Sequence, residues 1–485
     1  MVAGTDTRGW GRWLLPSLTQ WLWLVLLLVL LSPWWRTAMV GSDGDACFHW
    51  RVGTWMLQHR EILRQDVFSH TRYGAPIISK EWLAELIFAG GGELLGFYGL
   101  CVVAALAIAT TFALLHRQLL RAGNDPLVAT LVVLLAAWAS SGHWLARPHV
   151  FSFLMVVLWH GELLRFERSR GAARLAVTLP GLMVLWVNLH GAFLAGLLIL
   201  GAYAAGAWRD RPKCRVLVAV LILCAVASLL NPSGYRLHIH NFEFLQSKFL
   251  TGWLGEYQSA NFQALGPRAF LTWLALLFFT LVLRRPRVAA GQGLLLLMWT
   301  YFALYSVRNI PLLALLTAPI IAPVWSAWVR ERWPAFSERM TGMLLIGRGW
   351  PVAGAVAIVA ILYVPRPVQM PPDYWPVKAV EFIREHPEEF AGNMFNQYVW
   401  GGYLLAKLPE HKVFIDGRTD FYGESLVREF ADTTALATNW TAALEKYDVR
   451  WSLLPADHRL NQALALAGWE RLYTDPVATI YRRSP

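Results

Sequence analysis

The stretch GSDGDACFHW places two aspartates, Asp43 and Asp45, one residue apart, with His49 one helical turn further on. A carboxylate beside a hydroxyl-bearing substrate can take its proton. Two carboxylates and an imidazole can instead hold a hard divalent cation, magnesium or manganese, through Asp43, Asp45 and His49. Further along come Arg147 and His149 in LARPH, Asn188 and His190 in VNLHG, and Arg308 and Asn309 in SVRNIP. Guanidinium groups bind phosphate by charge-assisted hydrogen bonds, often two at a time. Each residue also has a plain structural reading. Asp favours helix N-caps, Arg can snorkel towards head groups, and polar side chains at a tight turn satisfy freed backbone groups.

The elements that must carry these residues are apolar. The chain has 485 residues, of which 56% are hydrophobic and only 15% charged, with 26 Trp; soluble domains carry about 25% charged residues. Its apolar runs are continuous rather than alternating, which predicts a mainly α, polytopic transmembrane helical bundle and excludes a β-barrel. The net charge of +11 comes from Lys and Arg gathered in short loops, as topology requires, and no nucleic-acid-binding motif accompanies it. Cys47, Cys101, Cys214 and Cys224 lack CxxC spacing, so no disulfide framework is expected. Arg8 and Arg12 precede a long apolar run without a good cleavage site, which reads as a retained first helix.

Apolar segments begin near 14–34, 97–115, 127–140, 148–164, 172–187 and 191–208, and continue near 215–230, 269–283, 292–307, 310–328 and 351–364. Basic clusters fix their sidedness. Arg165, Arg168, Arg170 and Arg174 precede the stretch ending in NLHG, and Arg209, Arg211, Lys213 and Arg215 follow its return. If basic loops stay cytoplasmic, NLHG is the outward tip of a hairpin. The same reasoning turns SGHWLARPH and SVRNIP outwards. It gives about eleven crossings with the N-terminus in the cytoplasm and the C-terminus outside. A long outer loop, 35–96, carries amphipathic pieces such as HWRVGTWMLQHREIL and KEWLAELIFAGG, suited to the membrane interface. A second outer loop runs from Asn231 to Arg268, where NPSG reads as a helix-ending turn.

Residues 1–365 form the membrane part. After the Pro-rich YVPRPVQMPPDYWP, residues 366–485 read as a small extracytoplasmic α/β domain. PVKAVEFIREHPEEF has helical periodicity, HKVFIDGR and DVRWSLLP look like buried strands, and WERLYTDPVATIYRR like a hairpin turning at Asp475-Pro476. YVWGGYL suggests close packing of a helix on that sheet. IDGRTDFY reads first as a turn after a strand, and second as an active-site stretch through Asp416, Arg418, Asp420 and Tyr422, in which Asp416 helps recognise an acceptor sugar.

All the polar tips thus lie at one membrane face, where ionisable groups are costly unless they share a cavity. Sugar transfer from a lipid-linked phosphate fits that setting. The lipid stays in the bilayer and holds the reacting carbon at the interface, Arg147 and Arg308 with a histidine bind phosphate, and an aspartate deprotonates the acceptor.

The order of features resembles the GT-C superfamily of polytopic membrane glycosyltransferases, which use polyprenyl-phosphate or -diphosphate sugars. More closely, DGDACFHWRVG, DVFSHTRYG and KEWLAE look like the first loop of a bacterial GT-C-like group, most of whose members have no assigned reaction. The match runs through Asp45, His49 and Gly53, then Asp66, Phe68, Ser69 and Thr71, then Glu81, Trp82 and Leu83. WVNLHGAF, LNPSG and SVRNIP, and YVWGGYLLAKLP and VFIDGRTDFY in the tail, extend it over nearly the whole chain. The resemblance implies that Asp45, or Asp43, is the catalytic carboxylate, where many such enzymes have an adjacent acidic pair. The candidates for substrate binding are His49, Glu81, Arg147, His149, Asn188, His190, Arg308 and Asn309. The expected partners are a polyprenyl-phosphate sugar donor, membrane lipid and a glycan, lipid or protein acceptor at the outer face of the bacterial cytoplasmic membrane. The rival readings are a transporter or flippase of a lipid-linked or anionic substrate, and a non-catalytic subunit of envelope assembly.

Overall fold

The computed structural model describes residues 15–344, 349–363 and 368–484. Arg8, Arg12 and the expected boundary at 365/366 lie outside the described residues.

The first apolar segment is helix α1 (Leu18–Leu30), followed after a 68° bend by α2 (Pro33–Gly41). Pro33 starts the second piece, where its missing N–H costs nothing. The first long loop holds α3 (Asp45–His59) and α4 (Trp82–Leu95). The bundle continues with α5 (Phe97–Arg121), α6 (Pro126–Ser140), α7 (His149–Ser169), α8 (Ala172–Leu189), α9 (Leu194–Gly206) and α10 (Arg211–Ala227). Asp125 caps α6, accepting from the N–H groups of Leu127 and Val128, and Asp210 caps α10 through Lys213. In the second long loop lie α11 (Arg236–Gln246) and α12 (Lys248–Trp253). They are followed by α13 (Arg268–Arg284), α14 (Ala290–Tyr305), α15 (Ile310–Arg332), α16 (Pro334–Leu344) and α17 (Trp350–Tyr363).

Every expected apolar segment is helical, but they differ in length. Among the described residues, five helices are long and apolar enough to span a membrane alone, or six if the bent α1–α2 pair counts as one span. The others run to 17 residues or fewer, about 25 Å at most, against a hydrocarbon core of roughly 30 Å. Eleven crossings would need these shorter helices to span as well.

The two helices of the first loop touch at glycine. A Cβ on Gly53 would overlap the Glu85 carbonyl oxygen, so α3 lies directly on α4. His49, one turn before Gly53, therefore faces Glu81 and Glu85.

The C-terminal segment adds α18 (Val377–Glu385), α19 (Gly401–Lys407), α20 (Thr419–Ala435), α21 (Ala442–Lys446) and α22 (Arg459–Leu466) around four strands. These are β1 (Asn393–Asn396), β2 (Val449–Pro455), β3 (Glu470–Thr474) and β4 (Ala478–Arg482), in the order β1-β2-β4-β3. β1 and β2 are parallel and the other pairs antiparallel. The expected hairpin at Asp475-Pro476 joins β3 to β4.

Two expectations fail here. HKVFIDGR is buried but is not a strand: only Val413 bridges, and its partner is Ser69 of the first loop. The Asn396 Oδ1 takes the Phe414 N–H at 2.8 Å, and Thr71 Oγ1 donates to the Phe414 carbonyl at 2.7 Å. Side chains and the first loop thus satisfy a backbone that a ladder would otherwise pair. YVWGGYL packs closely, but on the start of α3 rather than on the sheet: a Cβ on Gly402 would collide with the Gly44 carbonyl, and one on Gly401 with that of Ile415.

Candidate active site

The acidic turn is built locally. Asp43 Oδ1 accepts from the Asp45 N–H at 2.8 Å, which starts α3 and points both carboxylates the same way. Gly44 between them faces the Val399 carbonyl at a distance no side chain tolerates. Arg147, on the turn before α7, reaches Asp43 Oδ2 at 2.5 Å through Nη1 and Asp45 Oδ2 at 2.8 Å through Nη2. That turn is tied to α2 by the Ala146 N–H on the Met39 carbonyl.

Arg147 also lies 3.5 Å from Glu256, whose other oxygen is 3.2 Å from Arg308. Arg308 stacks over Tyr257 with 4.7 Å to the ring centroid. The 254–258 turn is joined to SVRN by Ser306 Oγ donating to the Glu256 carbonyl and by the Val307 N–H on Gln258. The result is a chain of alternating charge, Asp43/Asp45–Arg147–Glu256–Arg308. Burial and the neighbouring Asp43 charge push the Asp45 carboxyl up, against the pull of Arg147. Burial acts the same way on Glu256, but Arg308 and Arg147 overcome it and hold that group at about 2.

A second cluster joins His49, Glu81, Glu85 and His190. His49 Nδ1 is 3.2 Å from Glu85 Oε1 and its Nε2 is 3.8 Å from Glu81 Oε2. His190 Nε2 is 3.4 Å from Glu81 Oε1. The His190 Nδ1 faces the Ala192 N–H at 3.3 Å and Ser152 Oγ at 2.8 Å, and that hydroxyl already accepts from Trp186 Nε1. Nδ1 is therefore the acceptor, and His190 presents Nε2–H to Glu81. Burial, reinforced by the Glu81 charge, raises Glu85 to about 8, while burial and Arg147 lower His49.

Ligand atoms of His49, Glu81 and Glu85 all lie within 4.8 Å of one another, a donor set suited to a divalent cation. His190 orients Glu81 from behind, as outer-shell groups do. The expected trio of Asp43, Asp45 and His49 is split by the fold, because Arg147 occupies the aspartates and His49 turns towards α4.

A third group was not expected. Lys80 Nζ donates to Asp420 Oδ2 at 2.6 Å, and His240 Nε2 lies 2.7 Å from the same oxygen. Asp416 and Arg418 are buried in a separate network: Arg418 Nη2 meets Asp416 Oδ2 at 2.6 Å, and Nη1 meets Asp66 Oδ1 at 2.7 Å.

One cavity of about 870 Å³ is lined by Asp43, Asp45, His49, Glu81, Glu85, Arg147, His149, His190, Arg308 and Asn309, together with Lys80, His240, Glu256 and Asp420. Asn188 is not on its wall. Its amide donates to the Val184 and Leu230 carbonyls and accepts from Trp82, which fastens α8 to α4. His149 keeps its Nε2 on the His143 carbonyl. Glu256 could have been sought in the sequence as the countercharge that two arginines near a bilayer demand; Lys80 and His240 carried no such signal.

No family profile and no curated protein matches the sequence. Solved structures do match. The oligosaccharyltransferase AglB from Archaeoglobus fulgidus, in complex with an inhibitory peptide and a dolichol-phosphate, superposes with a TM-score of 0.62 at 12% identity, over 96% of this chain and 74% of that one. ArnT from Cupriavidus metallidurans gives a TM-score of 0.53 at 15% identity in the apo state, covering 96% and 97%. Bound to undecaprenyl phosphate it gives 0.51 at 16%, covering 96% and 98%. At such identities the likeness is one of fold, the GT-C fold.

Proposed function

We propose that this GT-C-fold protein is a glycosyltransferase that moves a sugar from a polyprenyl-phosphate donor to a glycan, lipid or protein acceptor at the outer face of the bacterial cytoplasmic membrane. The observation that carries the reading is the single cavity shared by the Asp43–Asp45 pair and the Arg147–Glu256–Arg308 chain. The AglB and ArnT structures bear dolichol-phosphate and undecaprenyl phosphate respectively, the lipid class the reading requires.

The chemistry follows from the charges. Arg147 and Arg308 grip Glu256 from two sides, and a donor phosphate offers the same acceptors between them. As the bond from the anomeric carbon to phosphate oxygen breaks, its electron pair leaves with the phosphate, where both guanidinium groups meet the charge. The acceptor oxygen bonds to that carbon and its proton passes to Asp45, the carboxylate that Arg147 orients. His49, Glu81 and Glu85 are the residues that would hold a divalent cation, which would supply positive charge to the cavity.

The lipid chain has a fitting wall. Helices α9 and α14 meet backbone to backbone at Gly206 and Gly291, while nearer their outer ends Leu198, Phe302 and Tyr305 line the cavity. On α14 the lining goes no deeper than Trp299, roughly two helical turns below the tip. A transporter would need a path onward to the other face.

The test is transfer of radiolabelled sugar from polyprenyl-phosphate donors to cell-envelope acceptors by purified protein. Asp45→Asn is expected to lower turnover by two orders of magnitude or more, on the scale of about 10²–10⁴ for general-base loss. Equal transfer by wild type and variant would end the assignment of Asp45 as base.

A further inference from the structure

The mechanism above leaves Lys80, His240 and Asp420 without a part, although they come from three distant segments and converge on one oxygen. The segment bearing Asp420 is a strap, residues 416–420, laid across the cavity. Arg418 anchors it. Its Nε and Nη2 hold both Asp416 oxygens, Nη1 holds Asp66, and the side chain is sunk out of solvent. At one end the strap presses on the candidate base, since a Cβ on Gly417 would overlap Asp45 Oδ1. At the other end Asp420 enters the Lys80–His240 cluster. Three residues of chain separate these ends, so their Cα atoms lie no more than about 10 Å apart. A pyranose ring spans roughly half that distance.

We infer that Lys80, His240 and Asp420 form a saccharide subsite that holds hydroxyls of the acceptor sugar while a neighbouring hydroxyl faces Asp45. This rests on the glycosyltransferase reading and narrows its acceptor from glycan, lipid or protein to a sugar-bearing molecule. The chemistry is that of polyol recognition. A carboxylate accepts from two hydroxyls, and an ammonium and an imidazole supply donors around it. Tyr398 and the strap's own Thr419, hydrogen-bonded to each other by their hydroxyls at 2.5 Å, line the same cavity. The cluster is half-open to the cavity, with Lys80, His240 and Asp420 side chains 25%, 20% and 17% exposed, so a ligand can reach it without breaking the fold.

The experiment measures binding. Purified protein in detergent is examined by saturation-transfer NMR with methyl glycosides of glucose, galactose, mannose and N-acetylglucosamine, and with a serine-containing peptide. Native mass spectrometry measures its binding of undecaprenyl phosphate in parallel. At least one glycoside is expected to show transfer that drops five-fold or more in Asp420→Asn and in His240→Gln, with undecaprenyl phosphate retained. His240→Gln, on a helix that is largely exposed, serves if Asp420→Asn fails to fold. Retention of undecaprenyl phosphate with no glycoside bound, or glycoside binding indifferent to His240→Gln, overturns the subsite; so does binding of the peptide alone. Failure of wild type to hold undecaprenyl phosphate would count against the enzyme reading instead.

Discussion

Glu85 shows what burial does to a single carboxyl at this site. Pushed from an ordinary value near 4.5 to about 8, it keeps its proton at neutral pH beside His49. Between those values the folded protein binds a proton that the unfolded chain has released. Stability therefore falls as pH rises from about 5 to about 8. Thermal unfolding in detergent across that window is expected to show the slope, and Glu85→Gln to flatten it; an unchanged slope in the variant would place the titration elsewhere. A divalent cation competes with the same proton, so its affinity for this site should rise with pH through 8. Isothermal titration with zinc or manganese is expected to lose its signal in His49→Ala and Glu81→Gln and to keep it in Asp43→Asn, because Asp43 is engaged by Arg147. Loss in Asp43→Asn alone would return the cation to the acidic turn.

At the scale of elements, close helix contacts set these distances. Gly53 lets α3 rest on the Glu85 carbonyl, and an added methyl there must push the two helices apart. Gly53→Ala should cost about 1–3 kcal/mol of stability, the usual scale of overpacking, and should weaken cation binding by moving His49 off Glu85. Gly90→Ala, on α4 with open space around it, provides the control and should leave both unchanged. These elements were largely legible beforehand. Apolar periodicity marked the helices, and the two amphipathic pieces of the first loop became α3 and α4. The KVFID stretch misled because its β-branched and aromatic run reads the same whether a ladder or the Asn396 side chain satisfies its backbone. The packing of GGYL on α3 was hidden for a related reason: glycines announce a close approach, not the partner.

Over the whole molecule, one cavity gathers tips that are far apart in the chain. Charges stranded near apolar runs revealed Asp43, Asp45, Arg147 and Arg308, since a bilayer makes lone ions expensive. Lys80 and His240 looked like ordinary loop polarity, Asp420 stood in a stretch read first as a turn, and their pairing spans 180 and 340 positions, beyond the reach of local pattern. Shared sidedness is checkable by thiol labelling. Cys47, Cys101 and Cys224 are buried, and Cys214 is replaced by Ser to remove the background. Cysteines placed at Ala192, Asn309 and Gln258 should all react with an impermeant maleimide added outside intact cells. Protection of any of them until the membrane is opened would break the common cavity.

The seam between Ser69 and Val413 has a bearing on biosynthesis. During synthesis the ribosome makes the acidic turn early, yet the strap that walls it emerges hundreds of codons later. A nascent or prematurely stopped polypeptide would hold its helices and its aspartates but lack the far side of the pocket until the last portion of the chain had docked.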